Sequence, residues 1–198
     1  LFHRANHIPD AALAASSPAG WRKKQSIAAI GFKHNRRPAA MRRGMSQSVF
    51  AVIGMTGHVG GAVAQTLLAE KRHVRAVMRD ATRGLPWAVR GCERALADLN
   101  DAASLASAFN GAEGVFVMLP PFFDPSPGFP EARAMIAALR SALLAARPRK
   151  VVCLSTVGAQ VKRQNLLTQL SILEQELGDL IPVTFLRPAW FMGNFAWD

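Results

Sequence analysis

An α/β fold built on a doubly wound parallel sheet, with helices on both faces, follows from three observations on this 198-residue chain. After Gln47, short β-rich apolar runs alternate with segments of helical period, the succession that builds βαβ units. The first run, Val49 to Ile53, is apolar throughout, as a central parallel strand buried on both faces must be. It leads directly into Gly54-Met55-Thr56-Gly57-His58-Val59-Gly60, a glycine-spaced turn that opens a helix.

The remaining elements are read in order. A helix over Val59–Lys71 carries apolar residues at Val63, Leu67 and Leu68, and its end is basic at Lys71-Arg72, where cations complement the helix dipole. Val74–Met78 is the second strand. A loop leads to a short third strand at Ala95–Leu99, and a short helix over Ser104–Phe109 is entered through Asp101. The fourth strand, Gly114–Leu119, is stopped by Pro120-Pro121. The stretch from Phe122 to Pro130 is irregular because it holds Pro125, Pro127 and Pro130. Helix resumes over Glu131–Arg147, the fifth strand is Val151–Ser155, a further helix covers Leu166–Leu177, and Val183–Leu186 is the sixth strand, closed by Arg187-Pro188. Right-handed crossovers wind these strands into the order 3-2-1-4-5-6, with ligands bound beyond their carboxyl ends.

Half of the residues are hydrophobic and 19% are charged, which places the chain among globular proteins rather than disordered ones. Apolar runs are all interrupted well short of the roughly 18 residues a membrane span needs, so no membrane is expected as partner. The net charge of +11 is uneven: residues 1–44 hold nine basic residues against the single acid Asp10, a balance of +8. With no sustained period, residues 1–47 are expected to be a disordered basic tail, and 48–198 the folded domain. Three origins compete for the tail: upstream or expression-derived sequence, an Arg-rich transit peptide, or a nucleic-acid-binding arm. Its prolines argue against the amphipathic helix of a transit peptide, and nucleic acid is not the expected partner. Cys92 and Cys153 lie in apolar stretches without metal-ligand spacing, so they are expected to be buried reduced thiols; no metal is expected, and the compartment is expected to be the cytoplasm.

The glycine turn carries the chemistry. Gly54 allows the tight turn out of the strand, Gly57 leaves room for a pyrophosphate to approach the backbone, and Gly60 lets the helix lie against the sheet. Amides at the helix start, with the positive end of its dipole, favour phosphate. Thr56 can add a hydroxyl, and His58 stands either near the phosphates or as a solvated loop histidine. This is the dinucleotide-binding pattern of the Rossmann fold. At the end of the second strand a carboxylate would grip a ribose 2′-hydroxyl and an arginine a 2′-phosphate; Arg79, 25 residues after Gly54, favours NADP(H), while the following Asp80 keeps NAD(H) open. Asp98 and Leu99 at the third strand are candidates for the adenine, as acceptor and apolar cover; Asp98 could equally cap a turn.

On these residues the sequence resembles the NmrA-like branch of the atypical short-chain dehydrogenase/reductase superfamily. The segments are Val52–Gly60, Val77-Met78-Arg79-Asp80, Ala97–Asp101, Gly114–Pro121, Leu154–Ala159 and Phe185–Phe195. The resemblance implies a nicotinamide cofactor and adds Val59, Leu119, Pro120 and Ser155 to its contacts; Ser155 could instead be a strand-end serine capping a turn. It implies an NADPH-dependent oxidoreductase of a quinone or other carbonyl acceptor, or alternatively a non-catalytic NADP(H)-sensing regulator acting through a protein partner. Two departures stand out. The larger superfamily moves its proton with a Tyr-x-x-x-Lys pair, yet this chain holds no tyrosine, and spacing offers only Asn165 with Gln169 or Leu166 with Leu170. Lys162 is the nearest lysine, and no catalytic residue is assigned. The domain is also expected to be truncated after the sixth strand, lacking the C-terminal substrate region, so that the apolar Trp190–Trp197 stretch is covered by that region, by a second copy, or by the domain's own core.

Overall fold

In the computed structural model, residues 48–180, 182–189 and 191 are described. The basic stretch 1–47 and most of the aromatic stretch 190–198 lie outside them. Six parallel strands, β1 (Val49–Ile53), β2 (His73–Met78), β3 (Glu93–Leu96), β4 (Ala112–Val117), β5 (Lys150–Leu154) and β6 (Val183–Leu186), form one sheet in the order β3-β2-β1-β4-β5-β6. The crossovers carry α1 (His58–Ala69), α2 (Leu85–Val89), α3 (Ala102–Phe109), α4 (Pro130–Ala146) and α5 (Thr168–Gly178).

Period-two alternation divides the sheet residues between two cores. Ala51, Ile53, Val115, Val117, Val151 and Cys153 face a core completed by Leu105 and Phe109 of α3, Ile136, Leu139 and Leu143 of α4, and Ile172, Leu173 and Leu177 of α5. Val52, Val74, Ala76, Met78 and Phe116 face the other, closed by α1 and by Trp87 of α2. Phe109, Leu139 and Leu143 are wholly buried, and each contributes about 1.5–3 kcal/mol by leaving water. Both cysteines are buried and free; burial pushes the Cys153 thiol up to about 12, so it stays protonated and inert.

Two polar devices fix the ends of α3. The Asp101 carboxylate accepts from the Ala103 amide at 2.9 Å, the N-cap expected from the sequence. At the other end, the Arg75 guanidinium donates to the carbonyls of Ala108 (2.9 Å) and Asn110 (2.7 Å), satisfying acceptors the helix leaves open. Glu93 lies 3.0 Å from the same guanidinium and balances its charge.

The structure departs from the sequence expectation mainly around β3. The link from β2 is not a plain loop: a 3-10 turn at Thr82–Gly84 runs into α2. This helix has only five residues, includes Pro86, and leaves Leu85 and Val89 exposed, so it writes no apolar period. β3 begins at Glu93 and ends at Leu96, ahead of the expected Ala95–Leu99. Among the described residues it is an edge strand paired with β2 alone, so it tolerates the exposed Glu93 and Arg94, and apolar content misplaces it. β4 starts two residues earlier than its apolar run, and α5 starts at Thr168, where the Thr168 hydroxyl accepts from the Asn165 amide at 2.9 Å.

Candidate functional site

The strand order reverses at β1, whose neighbours are β2 and β4, so the chains leaving β1 and β4 diverge and open a crevice at the carboxyl edge of the sheet. A cleft of about 780 Å³ lies there, lined by the turn after β1, the ends of β2 and β3, and the segment after β4.

Each glycine of the turn has a measurable reason. Gly54 sits at φ +76°, and a Cβ there would come 2.5 Å from the Met118 sulfur. A Cβ on Gly60 would lie 2.3 Å from the Gly54 carbonyl oxygen and 2.9 Å from that of Ile53, so its absence is what lets α1 press on the strand end. Gly57 differs. Its Cβ would meet nothing nearer than the Gly54 oxygen at 3.5 Å and so would occupy open space, and Gly57 itself lines the cleft. Gly57 is also the N-cap of α1, and no side chain caps that helix. A helix start without a side-chain acceptor, beside open space, suits an anionic group.

At the far side of the turn stands a cationic corner. Arg79 and Arg83 both line the cleft. Among the described residues Arg79 makes no hydrogen bond or ion pair, and Arg83 has only a long contact, 3.9 Å, to Asp80. The Asp80 carboxylate turns back into its own loop: it accepts from the Thr82 hydroxyl at 2.6 Å and the Thr82 amide at 2.8 Å, and these bonds hold its pKa below the usual carboxylate range. The carboxylate beside Arg79 is thereby spent locally. Arg83 was not singled out from the sequence; the available signal was its position one helical turn beyond Arg79, visible only once the 3-10 turn is known.

Asp98, Leu99 and Asn100 form the wall past β3. Asp98 is a turn cap, accepting from the Asn100 amide at 2.8 Å, and it also lines the cleft. Opposite lies an apolar wall of Met118, Pro120, Pro121, Phe122 and Met135, of which the sequence reading had named only Pro120. The structure therefore brings together Gly54, Thr56, Gly57, Arg79, Asp98, Leu99 and Pro120. It sets others apart. Gly60 and Leu119 are buried and do not line the cleft, Val59 packs against the core that α1 closes, and His58 lines a second, adjoining depression shared with Arg83, Gln65 and Trp87. Ser155 is 3% exposed and is not part of the cleft wall; its hydroxyl donates to Glu174 Oε1 at 2.5 Å.

Glu174 is the centre of a clip across the ends of β5, α5 and β6. Arg187 donates to it through Nε at 2.8 Å and through a second guanidinium nitrogen, and this pairing, followed by the Ser155 bond, holds the carboxyl below its ordinary pKa despite partial burial. The segment at the position of an acid-base pair carries none. Leu166 is exposed, Leu170 packs on the core, the Asn165 carboxamide oxygen accepts from the Leu167 amide at 2.7 Å, and the Gln169 amide donates to the Leu166 carbonyl at 3.1 Å. Among the described residues no cluster of His, Cys, Asp or Glu is arranged to hold a metal ion, and no helix is long and apolar enough to cross a membrane.

A six-stranded parallel sheet in this order, with a glycine turn under a cleft at the reversal point, defines a Rossmann-type domain. Comparison with known proteins gives the family: the profile of the NmrA-like family matches residues 46–167, more than half of the chain, and the chain belongs to that family. It is 31% identical over 147 residues to an NAD(P)H azoreductase of Xenophilus azovorans, covering 72% of this chain and 48% of the relative. An NmrA-like family domain-containing oxidoreductase, FrzB, of Cladobotryum sp. is 31% identical over 163 residues, with coverages of 74% and 48%. The chain thus spans about half the length of the curated relatives it matches. Among solved structures, the Citrobacter sp. triphenylmethane reductase complexed with NADP(H) superposes with a TM-score of 0.64 at 24% identity, over 75% of this chain and 51% of that one. An NADPH-dependent quinone oxidoreductase from Escherichia coli complexed with NADPH gives 0.64 at 24%, over 74% and 51%. At that identity these two bear on the fold alone.

Proposed function

We propose that this chain binds NADP(H) in the cleft and forms the cofactor half of an NADPH-dependent reductase whose acceptor is a quinone or another conjugated carbonyl or azo compound. The observation that carries the reading is the corner at the end of β2, where Arg79 is unengaged, Arg83 is nearly so, and Asp80 is bound to Thr82. Asp80 also lines the cleft, but Thr82 binds its carboxylate, which leaves the two arginines to meet a 2′-phosphate. The pyrophosphate is assigned to the open space above Gly57 and the start of α1, and the adenine to the wall of Asp98, Leu99 and Asn100. When bound, the nicotinamide supplies hydride. The protein's share is to orient that ring against Met118, Pro120 and Phe122 and to keep water from it. The names of the two curated relatives, a reductase and an oxidoreductase, support the activity class.

A second reading, a non-catalytic NADP(H) sensor, is favoured by one observation: at the position of an acid-base pair stand Asn165 with Gln169 and Leu166 with Leu170, and neither carboxamides nor leucines can move a proton at neutral pH. Calorimetric titration with NADPH and NADH tests the cofactor. Steady-state NADPH oxidation with a panel of quinones and azo compounds separates the two readings, since the sensor binds without turnover.

A further inference from the structure

The depression that adjoins the cleft has a volume of about 690 Å³ and lies between the first two turns of α1 and the Arg83–Trp87 stretch. Thr56, Gly57 and Arg83 line both spaces and form their common boundary. The cofactor reading assigns the cleft and has no use for this second hollow. Gly61 shapes it. A glycine inside a helix weakens the helix, and the three spaced glycines of the turn do not call for a fourth. A Cβ on Gly61 would come 3.3 Å from the Met55 carbonyl oxygen and 3.5 Å from Cζ2 of Trp87, so a side chain there would stand against the edge of the indole.

The polar groups of the hollow are donors that the fold does not use. Trp87 is 8% exposed and lines the hollow, yet among the described residues its indole N–H makes no hydrogen bond. Cζ2, on the N–H side of the ring, is its atom nearest to the Gly61 position, which places that side at the hollow. A nearly buried donor of this kind calls for an acceptor. The side chains of Thr56 and Gln65 also make no hydrogen bond among the described residues, and Arg83, 73% exposed, has only its 3.9 Å contact to Asp80. The Arg90 guanidinium stands 5.0 Å from the centre of the Trp87 ring and adds positive charge behind it. Among the described residues that line the hollow there is no carboxylate, and Met55, Ala62 and Pro86 supply apolar surface. A guanidinium with three neutral donors and no acid suits an anion with several acceptor oxygens. A phosphate group presents three or four of them and up to two charges, where a carboxylate offers two and one.

We infer that this hollow is a second anion site, for a phosphate group held by Arg83, Thr56, Gln65 and the Trp87 indole, and that through Arg83 it lowers affinity for a 2′-phosphorylated dinucleotide in the cleft. The coupling rests on the cofactor reading above; the site does not. A phosphate on one side of Arg83 takes donors that a 2′-phosphate on the other side would use, and the two anions repel. Each ligand therefore weakens the other by the same factor, about five- to tenfold, which is the low end for coupled sites because Arg83 is open to solvent and salt.

The probes are inorganic phosphate and phenyl phosphate, titrated at constant ionic strength into isotope-labelled chain while the indole N–H resonance of Trp87, identified by its loss in Trp87→Phe, is followed by NMR. That resonance should shift to saturation with NADPH bound and without it; a response to both probes shows that the phosphate group suffices, and a response to phenyl phosphate alone shows that the site takes an organic monoester. Calorimetry at saturating probe should find NADPH weakened about five- to tenfold and no further, with NADH unchanged. Gln65→Leu should weaken the probe about three- to tenfold and leave NADPH affinity in phosphate-free buffer as it was. No shift of Trp87 by either probe, or probe affinity that Gln65→Leu leaves unaltered, overturns the site. NADPH affinity that is unaffected, that falls without limit as phosphate rises because phosphate replaces the 2′-phosphate in the cleft, or that falls equally for NADH overturns the coupling. Failure of the unmodified chain to bind NADPH overturns the cofactor reading instead, and the titrations without cofactor still decide the site.

Discussion

Gly57 and Gly60 lie three residues apart in one turn, yet the structure requires opposite consequences from adding a single methyl group to each. At Gly60 the new Cβ would stand 2.3 Å from the Gly54 carbonyl oxygen and 2.5 Å from its carbon, with the Ile53 oxygen at 2.9 Å. These are backbone atoms of the central strand and its exit, so no side chain can rotate away, and α1 must lift by roughly 1 Å to restore ordinary contact. Overpacking of this kind costs about 1–3 kcal/mol, and a backbone-to-backbone clash belongs at the upper end. For a domain of this size that is a fall in Tm of about 5–10 °C. At Gly57 the Cβ would be 3.5 Å from its nearest neighbour and the backbone is extended, with φ −99° and ψ 175°, so Ala is tolerated sterically and only the modest N-cap preference is lost. That methyl group would instead occupy the cleft where the pyrophosphate is assigned, and NADPH affinity should fall by about two orders of magnitude, near 3 kcal/mol. Thermal unfolding by circular dichroism and calorimetric titration with NADPH, run on Gly57→Ala and Gly60→Ala, read the two effects separately. If Gly60→Ala melts with the unmodified chain, or Gly57→Ala retains its NADPH affinity, the assignment of contact to one glycine and ligand space to the other is refuted.

Four further outcomes are expected. Arg79→Ala should weaken NADPH by at least about tenfold while leaving NADH unchanged, and Arg83→Ala should do the same to a smaller degree; equal losses for both cofactors in titration would remove the 2′-phosphate from this corner. Glu174 has a folded pKa below its ordinary value because Arg187 and Ser155 bind the ionised form, so its contribution is complete above about pH 4.5 and is lost as the pH falls through the depressed folded value. Glu174→Gln should cost about 1–2 kcal/mol at neutral pH, a figure kept low because the Arg187 side chain is 45% exposed, and should flatten the acid limb of a plot of denaturant stability against pH. Arg75→Met should destabilise the domain by about 1–2 kcal/mol, read by urea unfolding, because the Ala108 and Asn110 carbonyls lose their donor. Removal of residues 1–44 should change neither Tm nor NADPH affinity, since the helical and strand periods begin only after Gln47; a loss in either measurement would make that stretch part of the domain.

What the sequence determined by itself is the sheet and the strand-to-helix turn at its centre. Val49–Ile53 must be a central strand because five apolar residues in a row can be buried only with neighbours on both faces, and Gly54 and Gly60 mark a strand-to-helix turn because no side chain fits at either position. The alternation of strand and helix periods, with right-handed crossovers, then dictated the order 3-2-1-4-5-6. The tertiary structure decided whatever depends on which groups meet across gaps in the chain. It recruited Met118 and Met135, 17 residues apart, into one apolar wall; it joined Ser155, Glu174 and Arg187 into a clip away from the cleft; and it turned Asp80 onto Thr82 so that Arg79 and Arg83 face the ligand space. A periodic pattern records how much water a segment must leave, which is a property of the segment alone and fixes strands and helices. Hydrogen-bond and ion-pair partners are chosen by distance after the chain has closed, and α2, β3 and the cationic corner belong to that second kind, because exposed residues at a sheet edge write no period.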